Sequence, residues 1–294
     1  MAIFKGAGVA IVTPMKDNFE VNYEKLEELI EFQVKEGTDA IIIAGTTGES
    51  STLTMEEHRE VIRSAVQFTK HRVPVIAGTG SNCTATSVRL SKEAQEDGAD
   101  GLLVVTPYYN KATQEGLIRH YSMIAGEVKL PVIMYNVPSR TGCNILPETA
   151  AYLYRNVENI VGLKEATGNV AQAAKTMYLT EGKLDLYSGE DGIVAPLLAL
   201  GAVGVISVWS NVAPKKAHDM CMKFFEGDIN GAAQIQLEAQ PLIEALFGEV
   251  NPIPVKHALN LMGKQAGPAR APLCEMGKAA SEKLEEAMKA YGLL

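Results

Sequence analysis

Lys164 is the residue of this chain whose type and position first suggest chemistry. It ends a short apolar segment, residues 160–164 (IVGLK), and Gly168 follows soon after it. A lysine in that position must pair with a carboxylate, reach water, or be kept partly neutral as an amine nucleophile. Because lysine is seldom fully buried, position alone favours a solvated strand end, so a catalytic role needs support from a second group.

A tyrosine ends another apolar segment in the same way. Residues 131–135 (PVIMY) end at Tyr135, and a turn containing Pro138 follows. If the two segments are neighbouring parallel strands, the two-residue period of a strand allows Tyr135 and Lys164 to stand at matching strand ends. Adjacent strands lie about 4.8 Å apart, so a phenol and an amine placed there could act on one substrate atom.

Polar turns after the other apolar segments supply candidate binding groups. Residues 45–50 (GTTGES) lack the lysine of a P-loop, and Glu49 would repel a phosphate. The hydroxyls and amides of Thr46 and Thr47 fit a small carboxylate better. Residues 78–82 (GTGSN) imitate a dinucleotide loop, but Cys83 stands where the third glycine belongs, which argues against a nucleotide.

Three larger side chains in these turns are candidates for substrate contacts. Arg140 is the only cation of residues 136–142 (NVPSRTG); it is either solvated or a two-pronged clamp for the carboxylate of a second substrate. Tyr108 and Tyr109 are adjacent and cannot point the same way on an extended segment. One of them could serve the site while the other packs or crosses to a partner chain.

The composition excludes several classes of function. The 294 residues carry 27 basic and 35 acidic side chains, a net charge of −8, without the basic and aromatic cluster that nucleic-acid binding requires. The histidines and cysteines show no metal-ligand spacing, so no metal site is expected. We predict reduced, mostly buried cysteines in a cytoplasmic protein; they are Cys83, Cys143, Cys221 and Cys274.

One uncharged stretch, residues 192–214, is long enough to cross a membrane as a single helix. Pro196, Gly201 and Gly204 interrupt it, and it divides more naturally into a buried helix, a glycine turn and a buried strand. The first residues contain no sustained apolar region, so neither a membrane span nor a signal peptide is predicted.

Eight short segments rich in Val, Ile and Leu alternate with helical patterns. Their starts recur roughly every 20 to 33 residues, the spacing expected of βα units, and most are continuously apolar, as in parallel strands covered on both faces. They occupy residues 8–12, 40–44, 73–77, 101–105, 131–135, 160–164, 184–188 and 204–207. Eight repeats without a candidate edge strand predict a closed (β/α)₈ TIM barrel, whose active site lies at the carboxyl ends of the strands.

Helix signals complete the prediction. Asn22 precedes the first helical pattern, Thr54 and Glu57 form a capping box before the second, and Pro147 begins a later one. After residue 208 the pattern is purely helical, over residues 214–226, 229–247 and 251–294. We therefore predict a barrel at residues 1–225 and a C-terminal helical domain at residues 226–294.

Three motifs, in their order and spacing, resemble the signatures of the pyruvate-dependent class I aldolases, and more narrowly those of the dihydrodipicolinate synthase family. They are residues 45–49 (GTTGE), 135–142 (YNVPSRTG) and 162–166 (GLKEA), and the likeness extends to residues 251–256 (NPIPVK). The resemblance implies a Schiff base between Lys164 and pyruvate, with no metal and no organic cofactor. Imine formation makes the pyruvate methyl group acidic, and the enamine then attacks an aldehyde.

The resemblance also implies how protons move. Tyr135 would donate and accept the proton at the imine, and Thr46 would link it to Tyr109 of a neighbouring subunit. A homotetramer, built as a dimer of dimers, is implied as well, with a dimer as the alternative.

Binding roles follow from the same resemblance. Thr46 and Thr47 would hold the pyruvate carboxylate, and Arg140 would hold that of L-aspartate 4-semialdehyde. Two further residues, Gly189 and Ile206, would line the pocket.

Arg140 separates the reactions that remain. N-acetylneuraminate lyase and 2-keto-3-deoxy-sugar-acid lyases resemble this chain in the lysine and tyrosine but lack this arginine. The resemblance therefore implies condensation with L-aspartate 4-semialdehyde to 4-hydroxy-tetrahydrodipicolinate, the first committed step of diaminopimelate and lysine biosynthesis, with a sugar-acid lyase as the alternative. A non-catalytic pyruvate-binding protein is disfavoured, because a binder has no need of an activated amine.

Regulation by lysine is expected to be weak or absent. In lysine-inhibited members of the family, a histidine and a glutamate stand where Met55 and Thr86 align, although Ser50, His58, Asn82 and Tyr108 are retained.

Overall fold

The structure, a computed structural model, describes residues 2–294, and within them eight parallel strands close into a barrel in sequential order. The last strand pairs with the first, Gly8 opposite Ile206, so the sheet has no free edge. The strands are β1 (Gly6–Ala10), β2 (Ala40–Ile43), β3 (Val75–Gly78), β4 (Gly101–Val105), β5 (Val132–Asn136), β6 (Ile160–Glu165), β7 (Asp185–Ser188) and β8 (Gly204–Ser207). The predicted TIM barrel is confirmed.

Helices follow the strands and form the outer layer. The Asn22 side chain caps the first of them, and Thr54 and Glu57 form the expected reciprocal capping box before the second. Over the described range the helices are α1 (Tyr23–Lys35), α2 (Met55–Thr69), α3 (Thr84–Glu96), α4 (Gln114–Gly126), α5 (Pro138–Thr141), α6 (Pro147–Asn156), α7 (Val170–Leu179), α8 (Val194–Ala199), α9 (Pro214–Phe225), α10 (Ile229–Leu246), α11 (Ile253–Leu261) and α12 (Lys278–Tyr291).

Two hydrophobic clusters hold these layers together. The larger lies between the strands and the helices, and the smaller fills the inside of the barrel. Phe4 stacks on Tyr187 at 4.5 Å between ring centres, and the Tyr187 hydroxyl donates to the Phe4 carbonyl. The segment before β1 thus closes the barrel from below, and the opposite end is left for the site.

The C-terminal region is helical only in part, and the prediction of a continuous pattern over residues 251–294 is wrong. Residues 262–277, between α11 and α12, form no helix. Gly263, Gly267, Pro268 and Pro272 fall in this segment, and glycine and proline are the residues least compatible with a helix interior. The helix α9 ends at Phe225, and the division into a barrel and a C-terminal helical domain stays a prediction.

The uncharged stretch at residues 192–214 folds as predicted, into α8, a turn at Gly201 and β8. Among residues 2–294, none of the helices combines the length and the hydropathy that a transmembrane span requires. The expectation for the cysteines holds for half of them: Cys143 and Cys221 are buried, but Cys83 and Cys274 are exposed.

Candidate active site

Tyr135 and Lys164 are register partners at the carboxyl ends of β5 and β6. The Lys164 amino nitrogen lies 4.3 Å from the centre of the Tyr135 ring. The side chains are 5% and 7% exposed, so both groups are largely removed from water. The structure therefore brings together the amine and the phenol that the sequence singled out.

A β-bulge sets this register. Val132 pairs with Ile160, but Ile133 pairs with Gly162, so one residue of β6, Val161, has no counterpart on β5. Ile160 points to the outer cluster, and the extra residue reverses the alternation so that Gly162 and Lys164 pair with Ile133 and Tyr135, which face inward. The sequence interpretation placed the two side chains correctly but did not foresee the bulge.

A glycine makes room for the lysine side chain. A Cβ atom at Gly189 would lie 3.0 Å from two carbons of Lys164 and 2.7 Å from the Cβ of Ala166. Such contacts are too close for an ordinary side chain, so a larger residue at Gly189 would displace Lys164.

Burial changes the protonation of the amine. Desolvation, together with the charge of the nearby Arg140, lowers the pKa of Lys164 to about 8. The carboxylates of Asp191 and Glu190 oppose this shift. The neutral, nucleophilic amine is therefore accessible close to neutral pH.

The phenol is shifted the other way. Burial raises the pKa of Tyr135, while Arg140 and the Thr46 side chain partly oppose the rise. The hydroxyl therefore stays protonated at neutral pH and can donate a proton to a group formed on Lys164.

A cavity of about 150 Å³ opens above these residues. It is too small for a nucleotide and has the size of a short acid or aldehyde. Six of the predicted site residues line it: Thr46, Thr47, Tyr135, Arg140, Lys164 and Gly189.

Two predicted residues lie elsewhere. Tyr109 is 87% exposed, and within residues 2–294 it is not one of the residues that line this cavity. Ile206 is 1% exposed and belongs to the inner cluster that also contains Tyr135. Over the described range it is not among the residues that line the cavity, so it supports the site from the barrel interior.

The loop after β2 is held by residues that the sequence interpretation did not assign to the site. Asn251 lines the cavity, and its side-chain amide donates to the Thr47 hydroxyl at 3.0 Å. In the part of the chain that the structure describes, Glu49 is not among the residues that line the cavity. Its carboxylate is buried and pairs with the Lys256 amino group at 2.7 Å. The only signal of these contacts in the sequence is the segment at residues 251–256, in which Asn251 and Lys256 flank the apolar residues 252–255.

The second acid after β7 has a structural partner. Asp191 is buried, and one of its oxygens accepts the backbone N–H groups of Val208 and Trp209. Burial raises the pKa of this carboxyl, and its charge opposes the depression of the Lys164 pKa. Asp191 thus joins the loops after β7 and β8 close enough to Lys164 for its charge to act on the amine.

A second cavity, of about 400 Å³, adjoins the first. Thr46 and Arg140 belong to both linings. Met55 and Thr86, the two residues that depart from the lysine-inhibited pattern, line it together with Ser50, His58 and Tyr108.

Comparison with known proteins agrees with this geometry. The model of the Dihydrodipicolinate synthetase family matches residues 3–291. The 4-hydroxy-tetrahydrodipicolinate synthase of Lachnoclostridium phytofermentans is 63% identical over 294 residues, 100% of both chains. That of Geobacter metallireducens is 53% identical over 292 residues, covering 99% of this chain and 100% of the relative.

A solved structure points the same way. The dihydrodipicolinate synthase from Acinetobacter baumannii, crystallised in complex with pyruvate, superposes with a TM-score of 0.96 at 44% identity, covering 99% of both chains. The family match, the relatives and the superposed structure all span nearly the whole chain. The chain therefore belongs to the dihydrodipicolinate synthetase family.

Proposed function

We propose that this chain condenses pyruvate with L-aspartate 4-semialdehyde through a Schiff base on Lys164, giving 4-hydroxy-tetrahydrodipicolinate for diaminopimelate and lysine biosynthesis. The observation that carries the proposal is the buried lysine with a pKa of about 8, placed beside Tyr135 in a small barrel cavity. The full-length relatives are 4-hydroxy-tetrahydrodipicolinate synthases, and one solved relative holds pyruvate.

The reaction uses the two groups in sequence. The neutral Lys164 amine attacks the ketone carbon of pyruvate, and the carbonyl oxygen leaves as water. Loss of a methyl proton gives an enamine, whose carbon bonds to the aldehyde carbon while the aldehyde oxygen takes a proton. The amino group of the second substrate then attacks the imine carbon and releases Lys164. Tyr135 gives and takes the protons at the imine.

The remaining lining residues select the substrates. Thr46 and Thr47 hold the pyruvate carboxylate at the floor of the cavity, and the guanidinium of Arg140 holds the carboxylate of the aldehyde substrate. Gly189 leaves the space in which Lys164 extends. Ile206 supports the pocket from the barrel interior.

Borohydride reduction in the presence of pyruvate tests the proposal. Mass analysis is expected to find the reduced adduct on the peptide containing Lys164, and Lys164→Arg should abolish it because arginine stays protonated. An intact wild-type protein without that adduct would overturn the mechanism. Turnover of L-aspartate 4-semialdehyde, compared with N-acetylneuraminate and keto-deoxy-sugar acids, separates the proposed reaction from the lyase alternative.

We further propose that the protein is a homotetramer, a dimer of dimers, in which Tyr109 of one subunit completes the site of the next through Thr46. The support is the exposure of Tyr109 at the rim of the barrel, where its backbone N–H is anchored to Thr141. Analytical ultracentrifugation gives the assembly directly, and a stable monomer would contradict it.

We place the enzyme in the cytoplasm. Its support is the pair of exposed thiols, Cys83 and Cys274, since unpaired surface cysteines suit a reducing compartment. Cell fractionation with an antibody to the protein tests this, and recovery outside the cytoplasmic fraction would contradict it.

A further inference from the structure

The loop at residues 44–49 has a backbone that requires outside support. Ala44 and Glu49 stand at its two ends with φ angles of 53° and 56°. This left-handed region is unfavourable for residues other than glycine, so the surrounding structure must hold it. The loop carries Thr46 and Thr47, the proposed seat of the pyruvate carboxylate.

A buried ion pair holds one end of the loop. The Lys256 amino group donates to Glu49 at 2.7 Å, to the Thr13 carbonyl at 3.1 Å and to the Pro268 carbonyl at 2.5 Å, which uses all three of its protons. The second oxygen of Glu49 accepts the backbone N–H of Arg270 at 2.8 Å. The charges are therefore paired and hydrogen-bonded, the condition under which buried ions are tolerated.

A second contact reaches the substrate side of the loop. The Asn251 amide donates to the Thr47 hydroxyl, while its own Oδ1 is buried and without a hydrogen-bond partner within residues 2–294. Because the Thr47 oxygen already accepts from Asn251, the Thr47 proton is free to be donated elsewhere. An anionic carboxylate in the cavity is the acceptor that this arrangement suits.

The residues that hold the loop at residues 44–49 are distant in sequence from the loop and from α2, the helix that follows it. Asn251 and Lys256 belong to the C-terminal region, on either side of the start of α11, and Pro268 and Arg270 lie in the non-helical segment that follows it. The Thr13 hydroxyl also holds the loop, by donating to the Gly48 carbonyl at 2.7 Å.

We propose that Asn251 and the Lys256–Glu49 pair are positioning residues through which the C-terminal region holds Thr47 as a hydrogen-bond donor to the pyruvate carboxylate. Asn251 acts through the Thr47 hydroxyl, and the ion pair acts through the backbone of the loop. The inference rests on the proposed function for the identity of the ligand, but not for the contacts that hold the loop.

A double-variant cycle tests the first link. Thr47→Val, Asn251→Ala and the double variant are compared by the pyruvate concentration that half-saturates borohydride trapping on Lys164. Each single change should raise it about tenfold, the effect of losing one hydrogen bond to a charged group. If Asn251 acts through Thr47, the double variant should stay within about threefold of Thr47→Val alone.

Multiplying effects, about a hundredfold in the double variant, would show that Asn251 acts independently of Thr47 and would overturn the inference. So would an Asn251→Ala variant whose half-saturating pyruvate concentration is unchanged. The KM of the aldehyde substrate is followed in parallel, and a change confined to it would assign Asn251 to the second substrate instead.

Hydrogen exchange tests the second link. Removing one charge leaves the other buried and unpaired, so both are replaced together, Glu49→Gln with Lys256→Met. Amides of residues 44–50 should exchange at least about tenfold faster in this variant and in Asn251→Ala, while the strands keep their protection. The matched control removes an exposed pair, Lys215→Met with Asp219→Asn, and should change nothing.

Unchanged protection of residues 44–50 in the folded pair variant would overturn the role of the ion pair. If that variant does not fold, the Asn251→Ala measurements decide. Exchange needs no pyruvate, so a wild-type protein that forms no Lys164 adduct would remove the proposed function and leave the result on the loop standing.

Discussion

Tyr135 and Lys164 pair across β5 and β6, with the amino nitrogen 4.3 Å from the centre of the phenol ring. A protonated amine at that distance from an aromatic ring is attracted to it, while burial of the same amine favours its neutral form. These opposing effects keep both protonation states of Lys164 within reach near neutral pH.

Trapping of pyruvate on Lys164 is expected to follow the neutral amine. With a pKa of about 8 in place of 10.5, the neutral fraction at pH 7 is about 300-fold larger than for an ordinary lysine. The initial rate of borohydride trapping should therefore rise with pH and level off above pH 8. A rate that continues to climb tenfold per pH unit up to pH 10 would contradict the shift.

Replacing Tyr135 by phenylalanine should separate binding from proton transfer. The ring remains, so the packing around Lys164 is kept, but the proton donor is lost. We expect kcat to fall by about 10²- to 10⁴-fold, the usual contribution of a positioned acid–base group. Steady-state kinetics measure this, with Tyr178→Phe, which alters an exposed tyrosine, as a control of wild-type activity. A kcat within threefold of wild type would exclude the assigned role.

Arg140→Ala should impair the second substrate and spare the first. A hydrogen bond to a charged group contributes about 1.5 to 3 kcal/mol, so the KM for the semialdehyde should rise roughly 10- to 150-fold. Saturation of trapping by pyruvate should change little. Because Arg140 also lowers the pKa of Lys164, its removal should move the pH profile of trapping upward. Arg140→Lys, which keeps the charge but loses the planar pair of donors, is expected to lie between the two.

Subunit mixing tests whether Tyr109 acts in trans. Tyr109→Phe and Lys164→Ala are each expected to be nearly inactive alone. Hybrids formed by unfolding and reassembling the two together should regain a fraction of the wild-type activity, because some sites then receive both functional residues. No recovery in verified hybrids would place Tyr109 in its own subunit's site, or outside the mechanism.

Lysine should inhibit weakly or not at all. The cavity beside the site is lined by Met55 and Thr86, neither of which supplies a charge for an amino-acid effector. A lysine titration of initial rates is therefore expected to stay flat into the millimolar range. Cooperative inhibition at micromolar lysine would contradict this, and Met55→His with Thr86→Glu tests whether sensitivity can be introduced.

The sequence predicts the architecture well because continuous apolar segments and helix caps are local signals. Asn22, Thr54 and Pro147 begin their helices as expected, and the motif residues converge on one cavity. What it does not predict depends on distant partners. The pairing of Glu49 with Lys256 joins residues more than two hundred positions apart. The helical patterns of α11 and α12 led the prediction to continue through residues 262–277, which form no helix.

The unpaired position of Val161 in β6 determines which side chains of that strand face the cavity. If Val161 paired in regular register with Ile133, continuous alternation from Ile160 would turn Lys164 outward toward the helices and aim Leu163 at the substrate. Such a pairing would leave a barrel that can still close but has no nucleophile inside it, whereas deleting Val161 would restore regular alternation from Ile160 to Gly162 and keep Lys164 inside. The register of β6 against β5, as much as the identity of its lysine, makes this barrel an enzyme.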